Sequence, residues 1–368
     1  MKILHLLYES KGDYFGIGGV GIRAYEIYKY LKDRHNITLL CKKYPGAKDG
    51  EIEGLRHIFV GTESKSLTKT LLSYAYHATR FVKKYGDNFD IIIEEFSPAI
   101  PTFLNLYKKR PVVLQIQGYT GKQYFGKYNI AYASTLYLFE RLRPRYYKDI
   151  IAVSEVTKRR LGLNSKKNIQ IISNGVAKEL LQLNPIESDY LLYLGRIDIH
   201  HKGLDILLNA YKEFCKTFAS VRLIIAGDGT DMVRFKMLLD DLPDHVKKNI
   251  ELSGWVSGKR KEDFLKNALF VVFTSRYEVQ PISTLEAMAF GKPVIVSDIP
   301  ELSYVIKNKA GISFKTEDSI SLAQSMKALL ISNERKEMGQ RGRAYVKDFT
   351  WDRIALKFES FLSEVVER

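Results

Sequence analysis

The sequence predicts an α/β protein made of two doubly wound parallel-sheet domains that face a common cleft. Three observations carry this expectation. Short apolar runs rich in Val, Ile and Leu recur along the chain, and most are followed by a helix-like run. Strands buried on both faces of a parallel sheet have this continuous, non-alternating character. The pattern breaks at "LLQLNPIESDY" (180–190) and then restarts, in a chain of 368 residues that suits two cores better than one.

The elements follow in order. "KILHLLY" (2–8) reads as a strand leading into a glycine stretch, then a helix "VGIRAYEIYKYLKDR" (20–34) and a strand "NITLLCKK" (36–43). "DIIIEEF" (90–96), "PVVLQIQG" (111–118), "DIIAVSE" (149–155) with helix "VTKRRLG" after it, and "IQIISNGV" (169–176) complete the first series. Pro185 and its polar neighbours mark the linker, which gives domains 1–183 and 184–350. The second series is "YLLYLGRI" (190–197), "VRLIIAGDG" (221–229), "IELSG" (250–254), "LFVVFTS" (269–275), "KPVIVSD" (292–298) and "GISF" (311–314), with "GLDILLNAYKEFCKTF" and "DMVRFKMLLDDL" as helices between. In sheets of this kind ligands gather at the carboxyl ends of the strands.

Composition narrows the function classes. The longest apolar runs, such as "ALFVVF" (268–273), are far shorter than the ~18–20 residues that cross a bilayer. "MKILHLLYES" meets Glu9 early and lacks a small-residue cleavage site, so a cytoplasmic protein without a signal peptide is expected. Cys41 and Cys215 show no C-x-x-C spacing and read as buried reduced thiols. The net charge of +15 is lopsided: residues 1–184 hold 30 Lys+Arg against 16 Asp+Glu, and residues 185–368 hold 27 against 26. Within the first half, residues 101–184 carry 15 basic and 4 acidic groups. Such a field suits an anionic partner, with a solvated lysine-rich surface as the alternative. Nucleic acid is not the expected partner, because no RNA-recognition, helix-turn-helix or zinc pattern organises the charge.

"GIGGVG" (16–21) has the G-x-G-x-x-G spacing of a dinucleotide fingerprint, but its context argues against one. That fingerprint needs its first glycine at the strand end and an acid after the second strand. Here "ESKGDYF" (9–15) intervenes, and the second strand ends in Cys41, Lys42 and Lys43. A lysine there could suit a 2′-phosphate, so an NADP-dependent oxidoreductase stays as an alternative. Either way the glycines let backbone N–H groups approach a ligand closely.

The most informative stretch is "SRYEVQPISTLEAMAFGKPVIVSDIPELSYVI" (275–306). Pro281 suits the first turn of a helix, which leaves Glu278 on the preceding loop and Glu286 inside the helix, both able to border one ligand. A bare E-x₇-E is more often a capping acid and a surface acid. Here it belongs to a longer series: "GIGGVG", "IAVSEVTKRRL" (151–161), "ISNGV" (172–176), "YLGRIDIHHKGLDILLNA" (193–210), "LIIAGDG" (223–229), "LSGWV" (252–256), "EAMAFGKPVI" and "FTWDRIALKF" (349–358).

In that order these motifs resemble the retaining glycosyltransferases of family 4, which have the GT-B fold of two Rossmann-like domains. The resemblance spans nearly the whole chain. It implies that helix 351–368 crosses back to complete the first, acceptor-binding domain, and that 184–350 binds the nucleotide-sugar donor. It also implies transfer of a sugar from a nucleotide-diphosphate sugar, UDP or GDP, to a hydroxyl. Arg196 and Lys202 would set two cations against the diphosphate and, with a helix N-terminus, do the work of a metal. No metal and no cofactor are therefore expected. Glu286 would bind the ribose and Glu278 the donor sugar. Gly195, Gly227, Gly229, Val256 and the loop Val279–Gln280–Pro281 would border the donor, with Gly18 and Gly19 facing its phosphate across the cleft. Trp255 is read either as a core side chain or as a stacking surface for the base. The nucleotide's own phosphate would accept the acceptor's proton.

The chain departs from the family at two places. Gln117 stands where the family often has a histidine, so it can hydrogen-bond a sugar hydroxyl or phosphate but cannot titrate. Val279–Gln280 replaces a small residue and an aromatic one. His5, His200 and His201 receive no role. A nucleotide-sugar epimerase of the same fold remains an alternative, separated by its product. In the basic half, "GKQYFGKYNIAYASTLYLFERLRPRYYK" (121–148) interleaves eight Tyr or Phe with Lys and Arg, and "LTKTLLSYAYHATRFVKKY" (67–85) does so on a smaller scale. Rings and cations suit an anionic interface. This gives the expectation of a glycan or lipid-linked acceptor and peripheral attachment to the membrane's cytoplasmic face, with ordinary helix packing as the alternative.

Overall fold

The computed structural model describes residues 1–14, 16–107, 109–163 and 167–368, and the chain folds as two units. The first comprises Met1–Asn174 with Trp351–Arg368, the second Gly175–Thr350.

The first unit runs β1 (Lys2–Leu7), α1 (Gly19–Lys29), β2 (Asn36–Lys42), β3 (Gly50–Ile52), β4 (Leu55–Val60), α2 (Leu67–Tyr85) and β5 (Ile91–Glu95). It continues through β6 (Val112–Ile116), α3 (Tyr124–Lys127), α4 (Ile130–Leu142), β7 (Asp149–Ala152), α5 (Glu155–Leu161) and β8 (Asn168–Ile171). The eight strands form one sheet in the order β3-β4-β2-β1-β5-β6-β7-β8, parallel except for β3–β4. β5, β6 and β7 are buried at every position, as continuous Val/Ile/Leu runs require. β1 pairs with both β2 and β5, so the winding reverses there. The carboxyl ends of β1 and β5 therefore flank the crevice where such sheets take ligands.

β4 and α2 are among the elements outside the sequence expectation. β4 alternates, with Leu55, His57 and Phe59 buried between more exposed neighbours; this two-residue period escapes a search for continuous apolar runs. The aromatic and basic stretch 67–85 is helix α2, whose buried Thr70, Tyr74, Ala75, Ala78 and Val82 fall on one helical face. β7 ends earlier than the run "DIIAVSE" suggests, because Ser154 caps α5 by accepting a bond from the Thr157 N–H at 3.1 Å.

The second unit runs β9 (Tyr190–Leu194), α6 (Ile199–Lys202), α7 (Leu204–Cys215), β10 (Arg222–Ala226), α8 (Met232–Asp240), α9 (Asp244–Lys247), β11 (Ile250–Gly254) and α10 (Gly258–Asn267). β12 (Val271–Phe273), α11 (Ile282–Ala289), β13 (Val294–Ser297), α12 (Ser303–Lys307), β14 (Gly311–Phe314), α13 (Ser319–Ile331) and α14 (Arg335–Val346) follow. Its sheet is wholly parallel, in the order β11-β10-β9-β12-β13-β14. β9 sits between β10 and β12, so this unit's crevice opens at the carboxyl ends of β9 and β12.

The units part at Asn174/Gly175, ahead of the expected boundary at 183/184. The reason is local. Val176 donates its N–H to the Phe349 carbonyl at 2.8 Å and bridges Thr350, and Leu180 packs into the second core. The Pro185 segment is likewise held to the second unit by Lys292, whose ammonium donates to the Ile186 carbonyl at 2.7 Å. The last helix, α15 (Trp351–Glu367), belongs to the first unit. Its buried stripe Trp351, Ile354, Ala355, Phe358, Phe361, Leu362 and Val365 has helical spacing, and Phe358 meets Tyr28 of α1 edge-on at 6.1 Å. Cys41 and Cys215 are both buried and free.

Candidate active site

The second unit gathers its charged groups at the β9/β12 crevice. β9 delivers Gly195 and Arg196 at its end, and Tyr193 fixes the turn by donating its hydroxyl to the Arg196 carbonyl at 2.8 Å. The Arg196 side chain is exposed and forms no ion pair with a described residue. Short helix α6 then brings Lys202 back toward β12. Gly203 follows at φ +62°, and a Cβ there would lie 2.1 Å from the Thr274 carbonyl oxygen. Only glycine tolerates both the left-handed backbone and that approach. The Thr274 hydroxyl closes the junction by donating to the Lys202 carbonyl at 2.6 Å.

On this stapled junction the Lys202 ammonium pairs with the Glu278 carboxylate, and Ser275 Oγ donates to the same Oε1 at 2.7 Å. Burial pushes the Glu278 carboxyl up, but the Lys202 ammonium, with the Ser275 hydroxyl bond, outweighs it and holds it below its ordinary value. His201 lies face to face with Tyr277, 4.1 Å between centroids, and its Nε2 is 2.9 Å from the Tyr277 carbonyl oxygen. Burial, aided by Lys202, drives its pKa down to about 4, so the ring is neutral and Nε2–H is the donor. Arg276 completes the clamp, bonding Asp205 at 2.8 and 2.9 Å and Glu317 at 2.6 Å. His201 and Arg276, given no role by sequence reasoning, thus tie the Arg196–Lys202 loop to the Glu278 loop. The adjacent "HH" and "SRY" were the only signal.

The remaining second-unit residues divide by role. Glu286 lies in α11 and accepts from Lys261 Nζ at 2.6 Å. Pro281 occupies the N-cap position just before α11, not its first turn as expected, because its ψ of 126° is extended. Val279 is half-buried and Gln280 buried on the loop before it. Gly227 and Gly229 have a packing reason: a Cβ on Gly227 would lie 1.8 Å from the Gly195 carbonyl oxygen, and one on Gly229 2.3 Å from that of Ile197. These glycines let the β10 loop cross the β9 loop. Val256 is a buried core side chain, whereas Trp255 is 57% exposed, which removes the core reading of that ring.

In the first unit the glycine loop has an internal anion. The N–H groups of Gly18 and Gly21 both donate to Glu9 Oε2, at 2.9 and 2.8 Å. A Cβ at Gly18 would meet Glu9 at 2.9 Å and one at Gly21 would meet Ile17 at 2.5 Å, while Gly19 faces open space. The Gly18 N–H reaches a phosphate only by exchanging that carboxylate. Lys42, one of the two lysines at the end of β2 that kept an NADP reading open, is buried against Asp13 in an ion pair. It does not present its charge to a 2′-phosphate.

Gln117, just beyond β6, donates Nε2 to both oxygens of Glu95, each at 3.0 Å. Glu95 ends β5, is buried, and also accepts from Gln115 and from His5 Nε2 at 3.1 Å. His5 Nδ1 in turn lies 2.8 Å from the Tyr28 hydroxyl. Glu95 thus fixes which end of the Gln117 amide it meets, the nitrogen. Neither His5 nor Glu95 was assigned by sequence reasoning, although β1 and β5 are adjacent strands whose residues meet at the crevice. Arg23 of α1 is fully buried, its pKa lowered to about 10 by that burial, and it binds the carbonyls of Ile172 and Ser173 and the side chain of Asn174. The motif "ISNGV" is thereby held by backbone, not offered to solvent. Among the described residues no group of three or more His, Cys, Asp or Glu is arranged to hold a metal.

Comparison with known proteins places this geometry. The family model "Glycosyl transferases group 1" matches residues 182–345, and "Glycosyltransferase Family 4" matches residues 17–180. An uncharacterised glycosyltransferase of Methanocaldococcus jannaschii is 28% identical over 73% of this chain and 69% of its own length. A phosphatidyl-myo-inositol mannosyltransferase of Mycolicibacterium smegmatis is 26% identical over 91% of this chain and 86% of its own. Among solved structures, Anabaena HepE in complex with UDP-glucose superposes with a TM-score of 0.74 at 17% identity, over 99% of this chain and all of that one. With its two parallel-sheet units each opening a crevice at the strand ends, the chain belongs to the family 4 glycosyltransferases of the GT-B fold.

Proposed function

We propose that the enzyme transfers a sugar, with retention of anomeric configuration, from a UDP- or GDP-sugar to a hydroxyl of a lipid-linked or otherwise anionic glycan acceptor. The observation that carries this reading is the Lys202–Glu278 pair beside Arg196 at the second unit's crevice. A leaving diphosphate needs preorganised cations, and Arg196 and Lys202 supply two without a metal. Glu278, kept ionised, accepts hydrogen bonds from donor-sugar hydroxyls near the anomeric carbon. Glu286 takes the ribose hydroxyls by exchanging Lys261, and exposed Trp255 offers a face to the base. As the bond from the anomeric carbon to the diphosphate oxygen breaks, the acceptor oxygen bonds that carbon on the same face. Its proton passes to the departing phosphate. HepE's complex with UDP-glucose supports a uridine donor.

For the acceptor, the first unit exposes Leu106, Ile130, Leu138, Leu142 and Tyr146 among Lys127, Arg141 and Arg145. Such a face suits peripheral contact with an anionic membrane, and the relative named for phosphatidyl-myo-inositol is consistent with a lipid-borne acceptor. No helix among the described residues is long and apolar enough to cross a membrane. A thermal-shift panel of UDP, GDP, ADP and their sugars tests the donor. One nucleoside diphosphate should stabilise the wild type and fail to stabilise Arg196→Ala. Product analysis separates the alternatives, because an epimerase returns an isomerised nucleotide sugar and a transferase releases nucleoside diphosphate.

A further inference from the structure

The short helix α6 carries Lys202 but does not hold itself in place. The carbonyls of its residues Ile199, His200, His201 and Lys202 all accept hydrogen bonds from the segment just after β12. Arg276 Nη1 donates to the Ile199 carbonyl at 3.3 Å and to that of His200 at 2.9 Å. The Arg276 backbone N–H donates to His201 at 2.9 Å, and the Thr274 hydroxyl to Lys202 at 2.6 Å. A helix of one turn leaves its end carbonyls to outside donors, so Arg276 sets where α6 lies.

The guanidinium is aimed from two sides. Asp205, in the first turn of α7, takes Nη1 and Nη2 at 2.9 and 2.8 Å, and Glu317, on the loop after β14, takes Nε at 2.6 Å. Glu317 stands at φ +68°, a left-handed backbone that favours glycine and strains a residue with a Cβ. Its neighbours hold it there. Thr316 donates its N–H and hydroxyl to Asp298 at 2.8 and 2.5 Å, and the Lys315 N–H donates to Ser321 Oγ at 3.1 Å. The Glu317 side chain is 58% exposed, so its ion pair adds little to folding stability. A strained residue whose ion pair stabilises little points to a geometric task.

We infer that Glu317 and Arg276 are positioning residues for sugar transfer: they fix α6, and through it aim the Lys202 ammonium at the donor's diphosphate. The inference rests on the transferase reading, and it extends that machinery to the loop after β14. With α6 loosened, Lys202 keeps its charge near the donor but no longer meets the transition state squarely. The loss therefore falls on turnover more than on donor affinity.

The test compares the full-length wild type with Glu317→Gly and Arg276→Gln by nucleoside diphosphate release, thermal midpoint and NMR titration of the His201 ring. Glu317→Gly removes the carboxylate and also relieves the left-handed strain. Its midpoint should hold or rise while kcat falls about threefold, a split that a merely structural role does not give. Arg276→Gln should lower kcat about tenfold and change the donor KM by no more than about twofold. The His201 ring, which burial keeps at a pKa of about 4, should titrate closer to the ordinary 6.5 in Arg276→Gln as α6 loosens. On a Lys202→Met background Arg276→Gln should add no further loss of kcat, because its effect runs through that ammonium. Unchanged kcat in both single variants, a Glu317→Gly midpoint that falls together with kcat, or an equal Arg276→Gln loss on the Lys202→Met background overturns the inference. Should Arg276→Gln fail to fold, Glu317→Gly still decides. The donor reading fails separately, if the wild type releases no nucleoside diphosphate from any nucleotide sugar. The His201 titration then stands alone, and an unshifted curve in Arg276→Gln overturns the hold on α6.

Discussion

Replacing Lys202 by Met tests whether the Lys202–Glu278 pair is the electrostatic centre of the second unit. The two side chains are 16% and 10% exposed, so each is largely removed from water. Breaking a buried pair from one side costs ~3–5 kcal/mol, because the other charge is left uncompensated. Ser275 still bonds Glu278 and some solvent reaches it, which brings the expected loss to about 2–3 kcal/mol. For a domain of this size that lowers the unfolding midpoint by roughly 5–10 °C. The loss must depend on pH in a definite sense. In the wild type the folded Glu278 pKa lies below the ordinary value of 4.5, so its contribution is present above about pH 4.5 and lost as pH falls through the folded value. In the variant, burial is the largest remaining influence and raises that pKa, so the penalty is relieved on acidification. Scanning calorimetry of wild type and variant from pH 7.5 to pH 4 should show the gap narrowing, and Lys202→Met with Glu278→Gln should recover most of the midpoint at pH 7.5 but no activity. A gap that stays constant with pH would refute the reasoning.

Other outcomes follow from the same geometry. Because the folded His201 pKa is about 4 against an ordinary 6.5, the second unit should lose stability as pH falls from about 6.5 to 4, and His201→Gln should flatten that slope in the same calorimetric series. Gly227→Ala should leave little folded protein on expression, since its Cβ would sit 1.8 Å from a carbonyl oxygen and the clash is with backbone that cannot yield. Glu95→Gln should lower turnover by about tenfold while the melting curve of the first unit shifts less than in His5→Ala. The amide it introduces no longer selects which end of Gln117 meets it.

Much of this was legible in the sequence where a run of residues carries its own structural reason. Continuous strands such as "IIIEE" and "YLLYL" announce burial on both faces, and β9 and β12 end where Arg196 and Glu278 begin. The Glu95–His5–Gln117 network was not legible because its members come from three strands, and only the sheet order β1-β5-β6 brings them together. "GIGGVG" shows the opposite limit: spacing alone suggested a phosphate loop, but whether its N–H groups meet a phosphate or Glu9 depends on a side chain outside the motif. Gly227 and Gly229 likewise looked like ligand glycines, and the crossing of the β9 loop supplies the reason for them. The units part ahead of the expected boundary because Val176 and Leu180, apolar residues before the proline, already pack into the second unit.

The central claim, that Arg196 and Lys202 act on the leaving diphosphate of a sugar donor, is tested most directly by nucleoside diphosphate release in the presence of EDTA. The wild type should release nucleoside diphosphate from a UDP- or GDP-sugar, unchanged by the chelator, with a fall on the order of 10²-fold in Arg196→Ala and in Lys202→Ala. Full activity in both variants, or conversion of the nucleotide sugar to an isomer without release, would contradict it.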